Sequence, residues 1–145
     1  MQSDGAEHSA DELAQGTVWV CDGPIEYIGA DVDEDIANLS AALDRVDVTD
    51  AFLPCVAPGS VYWIRNEHYA SEEEFLFALA DALRIEYRRI HEAGIMVHVD
   101  DAVLWHMFGT IRLRGGTPED YRRWAQLRVD ALNHALEGIP ADRVR

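Results

Sequence analysis

The chain has few of the features that mark membrane-spanning, disulfide-bonded or nucleic-acid-binding proteins. Its 145 residues include only two cysteines, which form no CxxC pair. No apolar run approaches the roughly 18 residues that a membrane-spanning helix needs. Only 12 basic residues stand against 27 acidic ones, which gives a net charge of −15. Such a surface repels phosphate backbones and anionic lipids, so we expect neither a nucleic-acid nor a membrane partner.

The cysteines and the N-terminus indicate the compartment. Cys21 and Cys55 each lie within or at the end of an apolar run, which predicts buried free thiols in a reducing cytoplasm. A disulfide between them is the minor alternative. Residues 1–16 are acidic and lack the apolar core of a signal peptide. They predict a flexible lead-in, followed by one domain over residues 17–145.

Apolar spacing divides that domain into three strand–helix units. Buried strands are predicted over residues 17–21, 51–59 and 95–101. Helices are predicted over residues 31–46, 71–94 and 117–138. Pro54 weakens the second strand, because proline removes a donor from the ladder. The alternating order predicts an α/β fold with a parallel sheet.

Ligands of parallel α/β folds bind at the carboxyl ends of the strands. The loops that qualify here span residues 21–27, 57–69 and 100–117, and the third is long enough to have a function of its own. The second contains YWIRNEHY, in which aromatic residues accompany Arg65 and His68. This segment either closes over a ligand as a lid or packs beneath the rim of the sheet.

Two adjacent carboxylates, Asp100 and Asp101, follow the third strand. Because strand side chains alternate, one acid points to each face, and the pair is poorly placed to share a proton. One interpretation is that one acid holds a substrate ammonium while the other fixes the loop. The alternative is that both cap turns or meet solvent.

The histidines raise the question of a metal site. His98 shares a strand face with Asp100, and His106 lies further along the predicted loop. The two histidines and one acid would together supply three metal ligands. Metal sites usually show paired short spacings, which are missing here, and we favour a strand histidine and a loop histidine without metal. The sequence has no GxGxxG, no phosphate loop and no Ser-His-Asp order.

Four stretches, in this order, resemble the catalytic barrel of the cobalamin-independent methionine synthases, and most of all its shorter single-barrel relatives. Together they cover nearly everything after residue 17. The stretches are CDGPIEY, FLPCVAPGS, HYASEEEFLFALADALRIEYRRIHEAG with HVDDAVL, and DYRRWAQLRVDALNHALEGIPADRVR.

The resemblance implies a (β/α)8 barrel that carries zinc at its carboxyl end. In that family, zinc binds the thiol of homocysteine or of another acceptor and presents a thiolate for methyl transfer. Asp100 matches the family's aspartate that binds the substrate amino group. Asp101 stands where the family has Glu or Asp, although Ala102 follows and the expected proline is missing. Pro58 and Gly59 correspond to the family's SPG-like loop.

A barrel of this type needs roughly 250 residues, and this chain matches about three βα units of it. The resemblance therefore implies a partial TIM barrel. The family's His-x-Cys zinc strand comes directly after GIPADRVR, so the zinc ligands lie outside this chain, and Cys21 and Cys55 do not match them. A second polypeptide or another copy would complete the ring.

Three functions follow as expectations. The first is a fragment or split subunit of a zinc-dependent methionine-synthase-like methyltransferase that acts on a thiol. The second is a non-catalytic remnant or interaction domain without metal. The third is another member of the wider barrel superfamily, for example one related to decarboxylases.

Overall fold

The computed structural model describes residues 18–61 and 63–145, and the predicted lead-in over residues 1–16 lies outside them. The fold is mixed α/β. Its strands are β1 (Val20–Cys21), β2 (Phe52–Val56), β3 (Arg65–Asn66) and β4 (Met96–Asp100). Its helices are α1 (Ala30–Leu43), α2 (Glu72–Glu92), α3 (Ala102–Leu113) and α4 (Pro118–Leu136), and single 3-10 turns occur at Pro58–Ser60 and Ala141–Arg143.

The two longest helices begin at the predicted positions, residues 71 and 117, and a side chain caps each of them. The hydroxyl of Ser71 accepts a hydrogen bond of 3.1 Å from the amide of Glu74 at the start of α2. Thr117 and Asp120 form a reciprocal capping box at the start of α4. Each cap satisfies helix amides that have no partner within the helix, and this explains why both starts were predictable.

Helix α1 is attached to α2 through Gly29. This glycine has a φ of 75°, and a Cβ there would lie 2.6 Å from the guanidinium of Arg89. Arg89 donates a 3.2 Å hydrogen bond to the Gly29 carbonyl and a 2.9 Å hydrogen bond to Asp33. Only glycine fits both the left-handed backbone and this close approach.

The expected parallel pairing is present, but a single sheet of the three predicted strands is not. Strand β2 pairs with β4 in parallel, from Phe52 opposite Met96 to Val56 opposite Asp100. Strand β1 pairs instead with β3, a strand that we had placed inside a loop. Strand β1 is only two residues long and Pro24 follows shortly after it, so it offers too few amides to extend the larger sheet.

No closed barrel forms among residues 18–61 and 63–145. However, a third segment begins to pair with β4 on the side opposite β2. Val144 forms a parallel bridge with Val97, and the amide of Arg145 donates a 3.0 Å hydrogen bond to the Val97 carbonyl. Strand β4 therefore lies between β2 and residues 144–145. These three segments have the same order across the sheet as along the chain.

Pro54 is accommodated inside β2. The Ala57 amide donates to the Asp100 carbonyl at 3.1 Å, and alternate amides of a parallel strand point to opposite edges. The nitrogen of Pro54 therefore points away from β4, where no ladder bond is lost. This register removes the objection to a strand that the proline raised in the sequence.

The sheet formed by β2 and β4 has two different faces. We call the first the covered face: its residues pack against α2 and α4 and belong to the core, and they are Leu53, Cys55, Val97 and Val99. We call the second the open face, and its residues are Phe52, Pro54, Val56, His98 and Asp100. Phe52 and Val56 on the open face remain 45% and 39% exposed, whereas Val97 is fully buried.

The segment after β4 differs from the prediction. We expected a long loop over residues 100–117, and the structure has helix α3 over most of it. Asp101 caps this helix, and its alanine, leucine and methionine residues favour helix formation. The loop prediction was wrong because the segment is apolar on almost every side and has no clear helical period.

Candidate functional site

A cavity of about 420 Å³ lies at the carboxyl end of β2 and β4. Its walls are mostly apolar. The residues that matter most to its chemistry are Val56, Ser60, Trp63, Asp100, Val103 and His106. A volume of this size suits a small molecule of amino-acid dimensions, and an apolar wall with few polar groups is typical of ligand sites.

Asp100 is the charged group of this cavity. It ends β4, its carbonyl accepts from the Ala57 amide, and its exposed side chain lines the cavity. Among the described residues its carboxylate accepts no hydrogen bond. The ladder therefore holds the backbone of Asp100 in place and leaves the carboxylate available to a ligand.

Asp101 has a different environment. Its Oδ1 accepts hydrogen bonds of 3.3 Å from each of the Val103 and Leu104 amides at the start of α3. The hydroxyl of Ser60 donates to the same oxygen at 3.0 Å. Asp101 thus joins the 3-10 turn after β2 to helix α3. The two adjacent acids do not act as a pair, because one lines the cavity and the other holds the backbone around it.

Pro58 and Gly59, the other predicted site residues, are buried in that 3-10 turn. A Cβ on Gly59 would lie 2.6 Å from the Cγ of Arg128, so the absence of a side chain lets α4 approach. Neither Pro58 nor Gly59 is among the residues that line the cavity. Ser60 is the residue of this turn that lines the cavity and bonds to Asp101.

Arg128 supports the turn, and sequence reasoning missed it. Its side chain is 5% exposed and forms an ion pair of 2.5 Å with Glu72. Its guanidinium lies 3.9 Å from the ring centroid of Trp124 and donates to the Trp124 carbonyl at 3.0 Å. The signal was available, since Arg128 lies four residues after Trp124 and three before Ala131, and this helical spacing places it among apolar residues, where a charge is unusual.

The histidines do not meet at a metal site. The ring of His98 stacks on Phe52 at 4.9 Å between centroids, and the Nδ1 of His106 lies 3.3 Å from the Ala102 carbonyl. Residues 18–61 and 63–145 contain no cluster of three or more His, Cys, Asp or Glu side chains that could hold a metal ion. The side chains described here therefore do not fit the zinc centre that the resemblance implies.

Both cysteines are free, as expected from the sequence. Cys55 is buried on the covered face, and its thiol donates to the Leu53 carbonyl at 3.6 Å. Burial, with the Glu86 carboxylate as a second cause, raises the pKa of the Cys55 thiol to about 12. A thiol with that pKa stays protonated at neutral pH, so it is a poor nucleophile and a poor metal ligand.

The segment YWIRNEHY is attached at one end and lines the cavity at the other. Asn66 holds a tight turn, because its side chain accepts from the Tyr69 amide and donates to the Tyr69 carbonyl, both at 2.8 Å. The hydroxyl of Tyr69 accepts from the Ile25 amide at 2.9 Å. Trp63 lies at the cavity, while Tyr62 is outside the described residues.

Comparison with known proteins adds no relative. No family model, no curated protein and no solved structure matches the chain. In the part of the chain that the structure describes, no helix is both long and apolar enough to cross a membrane.

Proposed function

We propose that this chain forms one arc of a methyltransferase barrel of the cobalamin-independent methionine synthase type. Within it, the chain would hold the amino group of a thiol-bearing substrate such as homocysteine. The observation that carries the proposal is the Asp100 carboxylate at the carboxyl edge of two parallel strands, facing a cavity of about 420 Å³.

The strand arrangement supports the barrel part of the proposal. β2, β4 and residues 144–145 are parallel and follow each other both in sequence and in space. That order is the order of a β/α barrel, whose inner face is lined by alternate strand residues and whose sites lie at the carboxyl end. The open face would then be the inner face, and the helices on the covered face would form the outer layer.

The cavity supports the substrate part. An ammonium group bound to the Asp100 carboxylate would form a charge-assisted hydrogen bond, which contributes about 1.5–3 kcal/mol. The side chains of Val56 and Val103 offer apolar contact to a short carbon chain. The role of this chain would be to bind and orient the substrate through Asp100, while Asp101 and Ser60 hold the surrounding backbone.

Zinc would supply thiol activation in a barrel of this type, by lowering the pKa of the bound thiol. Because the described side chains do not form a zinc centre, we derive no catalytic step from this chain. In the proposal the metal ligands come from a complementing polypeptide. Metal analysis of the chain, alone and with a candidate partner, tests this point: stoichiometric zinc held by residues 18–145 alone would contradict it.

The substrate proposal is tested by Asp100→Asn, with Asp47→Asn on an exposed loop as the control for the loss of one surface charge. We expect Asp100→Asn to weaken homocysteine binding about tenfold in calorimetric titration at millimolar ligand, since asparagine keeps an acceptor oxygen but loses the charge, a loss of about 1.4 kcal/mol. The control should bind as the wild type does.

A second ligand separates amine recognition from general damage to the cavity. The analogue 4-mercaptobutyrate keeps the thiol and the carboxylate but lacks the amino group. It should bind Asp100→Asn at least as well as it binds the wild-type chain. If homocysteine does not bind at millimolar concentration, or if both ligands weaken equally, the proposed role of Asp100 is wrong.

The alternative is a non-catalytic domain that uses its open face for protein contacts. The observation that favours it is that Asp101 is engaged in capping α3, so a single carboxylate serves the cavity. Under this alternative, Asp100→Asn leaves ligand binding unchanged, and no methyl transfer appears when a candidate partner is added.

A further inference from the structure

Helix α3 presents an apolar stripe to solvent. The exposed residues of this helix are Ala102, Trp105, Phe108, Gly109, Arg112 and Leu113. Trp105 is 77% exposed and Leu113 is 91% exposed, while Val103 is the residue of this helix that is buried. The spacing of three and four residues places the stripe on one side of the helix.

This pattern differs from that of an ordinary surface helix. Such a helix turns its apolar residues toward the core and its charges toward water. On α3, a tryptophan, a phenylalanine and a leucine lie together on the outer side. Contiguous exposed apolar groups of this kind mark interaction surfaces.

We propose that a second copy of this chain docks on the α3 stripe. The argument for a copy of the same chain is that the two ends of this helix carry opposite charges, so the surface is complementary to itself. With a net charge of −15, two copies repel each other over most of their surfaces. None of the 27 acidic residues falls within residues 102–118, so this surface lets two copies approach without placing carboxylates against each other.

The charges at the two ends of α3 assign the orientation. Asp100 precedes the helix, and Arg112 and Arg114 lie at its other end. A two-fold axis that sets the two helices antiparallel brings Asp100 of each copy toward the arginines of the other. The 12 residues of α3 span about 18 Å, so both ends meet within one contact. The antiparallel arrangement also opposes the helix dipoles favourably.

Gly109 permits a close approach of the two helices. A Cβ at this position would have no neighbour within 4 Å in its own chain, so the small residue is not required by internal packing. The rings of Phe108 and Tyr121, in contact at 5.3 Å, extend the stripe toward α4. Because a single helix of 12 residues carries the contact, we expect a weak dimer with a micromolar dissociation constant. This inference does not rest on the proposed function, since it needs neither a substrate nor a metal, but both engage the Asp100 carboxylate, so a substrate ammonium and a second copy would compete for it.

The first test compares identical substitutions at two equally exposed positions. Leu113 on the stripe and Ile28 outside α3 are each 91% exposed, so Leu113→Glu and Ile28→Glu add the same charge without disturbing the core. By sedimentation equilibrium of the full chain without ligand, we expect Leu113→Glu to weaken dimerisation about tenfold and Ile28→Glu to leave it within about twofold. Trp105→Glu should act as Leu113→Glu does. A chain that stays monomeric at several hundred micromolar, or equal effects of Leu113→Glu and Ile28→Glu, overturns the proposal.

The second test addresses the two-fold arrangement. Arg112→Asp and Asp100→Arg should each weaken the dimer, and the chain that carries both changes should regain most of the lost affinity, because each new pair is again of opposite charge. A double variant no tighter than the single ones overturns the antiparallel contact. A third measurement is sedimentation of the chain with anionic phosphatidylserine vesicles. If the chain does not dimerise but binds these vesicles, and Leu113→Glu abolishes the binding, the stripe is a membrane-binding surface and the proposal is overturned.

Discussion

The covered face and the open face of the β2–β4 sheet belong to the same ten residues and have opposite roles. On the covered face, Cys55 and Val97 are 4% and 0% exposed and pack against the two longest helices. On the open face, Val56 is 39% exposed and Asp100 lines the cavity. A substitution on the covered face should therefore change stability, whereas a substitution of the next residue along the strand, on the open face, should change binding.

The largest difference is expected for a polar substitution at matched valines. Val97→Asn places an amide without partners in the core and should destabilise the fold by more than about 3 kcal/mol. Val56→Asn leaves its amide in contact with water and should cost less than about 1 kcal/mol. Urea unfolding followed by circular dichroism measures both, and similar midpoints would remove the distinction between the faces.

Tyr87 lies in the core, and its buried hydroxyl donates to the Val56 backbone carbonyl at 2.6 Å. Tyr87→Phe removes that donor in a fully buried place and should cost about 1–3 kcal/mol. Tyr121→Phe is the control, since its half-buried hydroxyl donates to the Leu104 carbonyl at 2.7 Å, where water can replace it. Unfolding midpoints should fall more for Tyr87→Phe, and the reverse order would contradict the assignment.

The adjacent residues Asp101 and Asp100 allow the effects of a structural and a binding residue on stability to be compared directly. Asp101→Ala removes the cap of α3 and should cost about 1 kcal/mol. Asp100→Ala should change stability by less than about 0.5 kcal/mol, because its carboxylate bonds to no described residue. Thermal unfolding without ligand measures both, and a larger loss for Asp100→Ala would show that it is a structural residue.

The smallest expected effect concerns Glu86 on α2, at the outer side of the covered face. Burial raises the pKa of the Glu86 carboxyl above its ordinary value of 4.5; the hydrogen bond from Tyr27 opposes the shift and Asp35 adds to it. An acid whose pKa is raised by folding binds its proton more tightly in the native state, so wild-type stability falls as pH rises through that pKa.

Glu86→Gln keeps an acceptor for Tyr27 and removes the charge. The variant should therefore be slightly more stable than the wild type at pH 7. This advantage should disappear when the pH falls below 4.5, where the wild-type carboxyl is neutral as well. Urea titrations at a series of pH values measure the difference, and an advantage that grows toward acid pH would contradict the burial of this carboxyl.

Local signals account for what was predictable. Ser71 and Thr117 mark the starts of α2 and α4, because the side chain of an N-cap residue bonds to the amide three residues further on. The parallel pairing of β2 and β4 follows from the helix between two apolar strands. Helix α3 was missed because its apolar residues surround the helix, and periodicity fails when no side is polar.

The sequence by itself determined the α/β class, the two long helices and the placement of Asp100 at the end of a strand, since these depend on spacing and on caps within a few residues. Only the tertiary structure decided that Ser60 bonds to Asp101, that Gly59 makes room for Arg128, and that β1 pairs with β3. Each of these depends on contacts between residues more than 40 positions apart, and the hydrophobic pattern carries no information about which distant partners meet.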